Sequence, residues 1–207
     1  MGLKNIFLIG GGEIAKGETK RIDAEIMHLK PRGSNFVFFG TAAGDSDGYA
    51  QAIESVFGEH FRVVVASEGK GKEFSKSAIE NASVIYLGGG TTKVLMDHFE
   101  NWELISLLKK AIEGGAIVAG MSAGAQALAM WYVHEEDGLQ EVRRGWGLTG
   151  GSIGVLVHAT EESFLRAKKL CKEKDISALY GVGEKSALMC DSEKKDVEKI
   201  GEGAIWE

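Results

Sequence analysis

Cysteine and proline are both scarce in this chain of 207 residues, which contains two cysteines and one proline. Cys171 and Cys190 show neither C-x-x-C spacing nor the cysteine and histidine spacing of a zinc site, so we expect no disulfide framework and no metal. No cofactor is expected either. One proline among 29 glycines is typical of a regular α/β protein with tight turns at its strand ends.

Long runs of one charge and long apolar runs are also absent from the sequence. The 24 basic and 30 acidic residues are interspersed, which argues against a nucleic acid or an anionic membrane as partner. No apolar stretch approaches the roughly 18 residues that a membrane span requires. Residues 1–5 lead into a strand-length apolar run rather than a signal-peptide core, so we expect a cytoplasmic protein with a small soluble partner.

Short apolar segments alternate with amphipathic helical segments along most of the chain. Strands that are apolar on both faces are typical of a parallel sheet covered by helices on both sides. We therefore predict an α/β fold: a three-layer sandwich with a mostly parallel central sheet, flavodoxin-like, in one domain over residues 1–207. The predicted strands are residues 6–9, 35–39, 61–66, 83–87, 116–119, 153–157 and 178–182.

Three segments are not predicted to be parallel strands or helices of the central sheet. The polar and aromatic residues 131–151 are expected to be irregular, and residues 191–196 to form a charged turn. The tail from residue 178 onward, which ends in short strands near Trp206, is expected to add an antiparallel edge to the sheet.

Glycine clusters follow several predicted strands, at residues 10–12, 40–44 and 88–90. In a parallel sheet these strand ends share one rim, where ligands of α/β proteins bind. Each cluster alone is most simply a turn. Together they indicate a site at which backbone groups approach a substrate.

The same rim carries a G-x-S-x-G motif, residues 120–124, directly after the apolar run 116–119. This pattern is typical of a nucleophile elbow, a sharp strand-to-helix turn that needs small neighbours because its backbone is strained. Ser122 is therefore the candidate nucleophile. The alternative is a plain turn without chemistry.

A serine nucleophile needs a base and an orienting acid. Of the five histidines, His158 stands at the end of a predicted strand and so shares the rim with Ser122, whereas His134 is expected to point away. Glu184 follows the strand 178–182 and is the candidate acid. The alternative candidates are the histidines His28, His60 and His98 for the base and the acids Asp191, Glu161 and Glu162 for the orienting group.

Four segments resemble the S51 peptidase family, which contains dipeptidase E and cyanophycinase. They are Gly88-Gly89-Gly90-Thr91, the elbow 120–125, Gly147-Leu148 with His158 ten residues on, and residues 181–188. The resemblance implies a fold like the class I glutamine amidotransferase domain and an enzyme that hydrolyses small peptides.

The same resemblance implies roles for individual residues. Ser122 would be the nucleophile, His158 the base and Glu184 the acid. The backbone N–H groups of Ala123 and Gly89 would form the oxyanion hole, and the adjacent Gly90 and Thr91 are candidate substrate contacts.

Aspartyl specificity depends on a segment that differs from the family. Residues 159–166 are shorter than, and do not match, the region that recognises aspartate in dipeptidase E and cyanophycinase. Arg143, Arg144 and Arg166 are candidates to hold a substrate carboxylate, because a guanidinium can bind one with two hydrogen bonds.

Two other functions stay open at this point. Residues 10–15 fit G-x-G-x-x-A after a strand, which indicates dinucleotide binding, although no acidic residue ends the second strand. The second alternative is an interaction domain that has the same fold but no catalytic activity. A homodimer is the default expectation for a soluble oligomer.

Overall fold

A computed structural model describes residues 4–173, 176, 178–191 and 196–207. The chain forms two β-sheets with helices packed around them. The predicted α/β class is confirmed.

The first sheet has seven strands, and five neighbouring strands that reach one of its edges are parallel. Each of these segments is short, apolar and bounded by turns, as the sequence predicts. In chain order the parallel strands are β1 (Lys4–Ile9), β2 (Asn35–Phe39), β3 (Arg62–Ala66), β4 (Val84–Leu87) and β5 (Ile117–Met121). Across the sheet they lie in the order β1, β5, β4, β2, β3.

Five helices connect these strands, a sixth follows β5, and together they cover both faces of the sheet. They are α1 (Lys20–Leu29), α2 (Asp47–Phe57), α3 (Lys72–Glu80), α4 (Thr92–Asn101), α5 (Ile105–Glu113) and α6 (Ala123–Leu128). Pro31 explains where α1 ends, because the residue before a proline avoids helical geometry and Lys30 is extended.

Side-chain alternation along the strands divides the core into two halves. Phe7 and Phe36 pack with α1 and α2 on one face, and Leu8 and Val37 pack with α3 to α6 on the other. The first sheet is thus the middle of the predicted three layers. Among the described residues, no helix is long and apolar enough to cross a membrane.

A second sheet of five strands was not predicted. Residues 131–151, expected to be irregular, contain a β-hairpin of β6 (Trp131–Glu136) and β7 (Leu139–Arg144). β6 pairs in parallel with β8 (Ile153–Val157). The prediction for this segment was wrong because its strands are half exposed and lack the apolar runs of the first sheet.

The C-terminal part supplies edges to both sheets. After α7 (Glu161–Glu173), β9 (Ala178–Val182) pairs in parallel with β8, so this strand lies inside the second sheet and not at the expected edge of the first. β10 (Ser186–Asp191) and β11 (Val197–Gly201) do form the expected antiparallel edge beside β1. β12 (Ile205–Trp206) borders β9. Most of the charged turn predicted at 191–196 lies outside the described residues.

Candidate active site

Ser122 lies on a sharp turn between β5 and α6, with φ 48° and ψ −102°. A Cβ atom on Gly120 would overlap the backbone of Gly124, and one on Gly124 would overlap the Leu87 carbonyl oxygen. The two glycines of the motif therefore allow the strand, the turn and the helix to meet at backbone contact. The serine makes no capping bond to the helix, which leaves its hydroxyl available to other groups.

Ser122, His158 and Glu184 form one hydrogen-bonded chain. The serine Oγ lies 2.7 Å from Nε2 of His158, and Nδ1 of His158 lies 2.5 Å from Oε1 of Glu184. The imidazole and the carboxylate are about half exposed. The structure thus brings together the three residues that the sequence singled out, although they come from three separate loops.

The end of β1 connects these three loops through consecutive backbone carbonyl groups. Each carbonyl accepts a hydrogen bond from one loop, so the first strand and its glycines act as a common frame for the site. The bonds run from the N–H of Ser122 to the Ile9 oxygen (2.8 Å), from that of His158 to Gly10 (3.0 Å) and from that of Lys185 to Gly11 (3.1 Å).

A cavity of about 720 Å³ opens beside Ser122 and His158. Its floor includes the buried residues Thr92 and Gln126, and the Thr92 hydroxyl donates a hydrogen bond to the Gln126 side-chain oxygen. His134, expected to point away from the site, also lines this cavity. The cavity is large enough for a small ligand, and the partly exposed Ser122 lies in its lining.

The glycine turn after β4 lies next to the serine. The Gly89 N–H donates to the Tyr49 hydroxyl at 3.2 Å, so this predicted oxyanion donor is already engaged. Gly90 has φ 137°, and a Cβ atom there would overlap the Ala42 carbonyl oxygen, so only glycine fits. Gly90 and Thr91, the candidate substrate contacts, both line the cavity.

The candidate arginines differ in position. Arg143 and Arg166 line the cavity. Arg144 instead lies over the Trp131 ring, 5.4 Å from its centroid. The Arg166 guanidinium is bound at 2.8 Å by two carboxylates, those of Glu135 and Glu162.

Arg143 forms an ion pair with Glu141 at 2.8 Å. Lys93 also lines the cavity, and its ammonium group forms an ion pair with Asp97. These cations are therefore already neutralised by protein carboxylates. A substrate carboxylate would have to compete with them.

The glycine-rich segment after β1 does not have the geometry of a dinucleotide-binding loop. Such a loop opens directly into a helix, but here a 3₁₀ turn (Ile14–Lys16) follows and α1 begins only at Lys20. The Glu13 N–H is taken by the Glu18 carboxylate, where a phosphate would need a free amide.

Among the described residues, neither the two cysteine thiols nor the metal-ligating side chains form a second reactive site besides that of Ser122. Burial raises the pKa of the Cys190 thiol to about 12 and also raises that of Cys171, so both stay protonated and unreactive near neutral pH. Within the described part of the chain, no three His, Cys, Asp or Glu side chains cluster as a metal site would require.

Two features of the site were missed in the sequence. The β6–β7 hairpin, which supplies one wall of the cavity, is marked by Asp137-Gly138 between two strand-forming segments, a strong hairpin signal that could have been recognised. Both turn residues have positive φ, 52° and 76°. The role of Gly10 and Gly11 as acceptors had no comparable local signal.

Fold and site together define a class of protein. An α/β chain that presents a serine on a strand-to-helix turn, with an imidazole and a carboxylate behind it, has the organisation of a serine hydrolase. The family model of peptidase family S51 matches residues 6–198, so the chain belongs to this family.

Similar proteins agree with this assignment. The chain is 32% identical over 128 residues to the uncharacterized peptidase YgaJ of Bacillus subtilis (strain 168). The match covers 59% of this chain and 55% of that protein, so the chain spans about half the length of this curated relative.

Two crystal structures share the fold. A putative peptidase E protein from Listeria monocytogenes EGD-e aligns with a TM-score of 0.70 at 16% identity, over 97% of this chain and all of that one. A peptidase from an acI-B1 actinobacterium gives a TM-score of 0.67 at 22% identity, over 97% of this chain and 88% of that one. At these identities the likeness concerns the fold alone.

Proposed function

We propose that this peptidase hydrolyses small peptides by acyl transfer through Ser122, with His158 as general base and Glu184 as the orienting acid. The observation that carries the proposal is the chain of hydrogen bonds from the Ser122 hydroxyl through His158 to Glu184, beside an open cavity. Serine, base and acid in hydrogen-bond contact are what a serine nucleophile requires.

The reaction would follow two steps. The Ser122 oxygen attacks the peptide carbonyl carbon while its proton passes to Nε2 of His158, and the imidazolium then returns that proton to the leaving amine. A water molecule attacks the resulting acyl-serine while His158 takes its proton, the bond from the acyl carbon to the Ser122 oxygen then breaks, and the imidazolium returns the proton to that oxygen as the acid product leaves. Glu184 holds Nδ1–H, which keeps Nε2 free to accept the serine proton.

The oxyanion of the intermediate would be held by backbone N–H groups. Ala123 follows the nucleophile and supplies one donor. For the second we now favour Gly90 over Gly89, because the Gly89 N–H is engaged by Tyr49 and Gly90 lines the cavity. Losing one such donor typically costs about 10²- to 10³-fold in rate.

The substrates would be short peptides without a strong requirement for aspartate. A cavity of about 720 Å³ suits a ligand of a few residues. The cations that line it are paired with Glu135, Glu162, Glu141 and Asp97, which leaves a substrate carboxylate without a ready partner. We therefore expect dipeptides that begin with aspartate to be cleaved no faster than their neutral counterparts.

A labelling experiment tests the nucleophile. A fluorophosphonate probe should modify Ser122 in the wild-type protein, and Ser122→Ala should lose both the label and peptide cleavage. Ser152→Ala, at an exposed serine outside the hydrogen-bonded chain, is the matched control and should keep both. Cleavage at the wild-type rate by purified Ser122→Ala would refute the proposal, and an absence of labelling in the wild type would favour a silent interaction domain.

A further inference from the structure

Gly11 lies directly against the histidine and the carboxylate of the proposed site. A Cβ atom at this position would overlap Oε2 of Glu184 and would lie 2.6 Å from Nδ1 of His158. Real side-chain atoms do not approach a neighbour this closely. Because Gly11 has no side chain, the His158 ring and the Glu184 carboxylate can occupy this space and form their hydrogen bond.

The backbone of Gly11 also holds the loop that carries Glu184. Its carbonyl oxygen accepts the N–H of Lys185, the next residue, at 3.1 Å. Lys185 has φ 62°, an unfavourable conformation for a non-glycine residue that needs support from its surroundings. The preceding carbonyl, that of Gly10, holds the His158 N–H.

We propose that Gly11 is a positioning residue for the reaction: it sets the place of the Glu184 carboxylate and thereby the orientation and tautomer of His158. The proposal rests on the proposed function, since it gives Gly11 a role in the chemistry of Ser122. It also gives a reason for the glycine-rich segment after β1, which does not have the geometry of a nucleotide loop. The alternative is that Gly11 is needed only for close packing and has no effect on the orientation of the His158 imidazole.

The variant Gly11→Ala places a methyl group where the carboxylate now lies. The carboxylate must move, and Nδ1–H of His158 loses its acceptor. We expect kcat to fall about 10²- to 10³-fold, in the range found when the acid of a triad is impaired, with KM changed less than about threefold because the cavity is untouched.

The matched control is Gly69→Ala. A Cβ atom on Gly69 has no neighbour within 4 Å, so this variant adds the same methyl group in open space. It should retain the wild-type kcat, KM and unfolding midpoint. Thermal unfolding of both variants separates loss of activity from loss of fold.

Proton NMR gives a readout that close packing alone would not change. An imidazole Nδ1–H bonded to a carboxylate gives a low-field resonance, which should be present in the wild type and Gly69→Ala and absent in Gly11→Ala. A folded Gly11→Ala protein that keeps both this resonance and the wild-type kcat would overturn the proposal.

A double variant keeps the test decisive if Gly11→Ala does not fold. Glu184→Ala removes the carboxylate that the new methyl group would meet and leaves only the half-exposed His158 ring beside it, so Gly11→Ala should fold in this background and should lower kcat by less than about tenfold relative to Glu184→Ala alone. An unfolded double variant, or a larger additional loss of activity in it, would contradict the proposal.

The outcomes also distinguish this proposal from the proposed function. If Ser122→Ala cleaves peptides normally, the proposed function fails, yet the low-field resonance still reports whether Gly11 sets the His158–Glu184 pair. If Ser122→Ala is inactive while Gly11→Ala is fully active, the positioning role alone fails.

Discussion

Tyr49 accepts a hydrogen bond from the Gly89 N–H at 3.2 Å, which links α2 to the glycine turn beside Ser122. The tyrosine ring packs edge-on against Phe38 at 4.9 Å, and a Cβ atom on Gly88 would lie 2.9 Å from it. Burial raises the pKa of Tyr49, so its hydroxyl stays protonated at neutral pH. A residue outside the cavity thus fixes the turn that carries the proposed oxyanion donor.

We predict that Tyr49→Phe lowers kcat by about 5- to 20-fold. The Gly89 N–H would lose its partner, at a cost of about 1 to 2 kcal/mol, and the turn would shift from its position beside Ser122. Steady-state kinetics and the rate of fluorophosphonate labelling measure the effect. Tyr180→Phe, in the second sheet, is the control; equal kcat in both variants would show that the turn does not depend on Tyr49.

Glu184→Gln should lower kcat by about 10²- to 10⁴-fold and leave KM nearly unchanged. The amide keeps the shape of the carboxylate, but it does not stabilise the imidazolium and can favour the wrong tautomer. Rates across a series of pH values measure the loss. Glu113→Gln, on α5, is the matched control, and similar rates in the two variants would remove Glu184 from the mechanism.

Asp23 provides a prediction on pH and stability. This residue of α1 is buried, its Oδ2 accepts the Thr19 hydroxyl at 2.8 Å, and its Oδ1 has no partner among the described residues. Burial raises its pKa from 3.8 to about 6. Since the folded state holds this proton more tightly than the unfolded chain, its stabilising contribution is full below about pH 4 and is lost as the pH rises through about 6.

Asp23→Asn should therefore be more stable than the wild type by about 2 to 3 kcal/mol at about pH 8, and nearly equal to it at about pH 4. The amide oxygen can still accept the Thr19 hydroxyl, and no charge is buried. Urea unfolding at the two pH values measures the difference. A stability difference between Asp23→Asn and the wild type that is the same at both pH values would contradict the assignment.

Gly124→Ala should destabilise the fold by about 3 kcal/mol or more, because its methyl group would overlap the Leu87 carbonyl oxygen. Urea denaturation midpoints give the change. Gly48→Ala, in α2, places a methyl group 3.9 Å from its nearest neighbour and should be neutral or slightly stabilising. An equally stable Gly124→Ala protein would mean that the elbow is less tightly packed than the structure indicates.

Arg166→Gln should raise KM for aspartyl and neutral dipeptides alike by less than about threefold. Its guanidinium is held by Glu135 and Glu162 in partly exposed ion pairs, which contribute at most about 1 kcal/mol each. A dipeptide series measures KM, with Arg21→Gln as control. A rise of more than about tenfold that is confined to aspartyl substrates would assign the carboxylate site to Arg166.

The sequence was informative wherever one local pattern determined the structure. The inner parallel strands β1, β2, β4 and β5 are short apolar runs buried on both faces, and the elbow needs Gly120 and Gly124 at fixed spacing, so both could be recognised without coordinates. The site residues could be ranked because each follows a predicted strand, although the strands before His158 and Glu184 belong to the second sheet and not, as expected, to the sheet that carries Ser122. Their catalytic roles stay predictions until Ser122 is tested.

Long-range pairing was not encoded in any local pattern. Nothing in residues 153–157 distinguishes a strand of the second sheet from one of the first, since both are apolar runs of similar length. The ion pairs of Arg166 and the acceptor role of Gly11 likewise depend on residues far away in the chain. Such contacts arise only when the chain is folded.

The β6–β7 hairpin lies at the outer edge of the second sheet, and it is joined to β8 through just two residue pairs, Trp131 with Gly154 and Tyr132 with Val155. The hydrogen-bonded serine, histidine and glutamate are instead anchored to β1, in the other sheet. Mutations in the hairpin could therefore reshape the cavity wall while the reacting groups stay in place. This separation would let the substrate range diversify during evolution without a new catalytic apparatus.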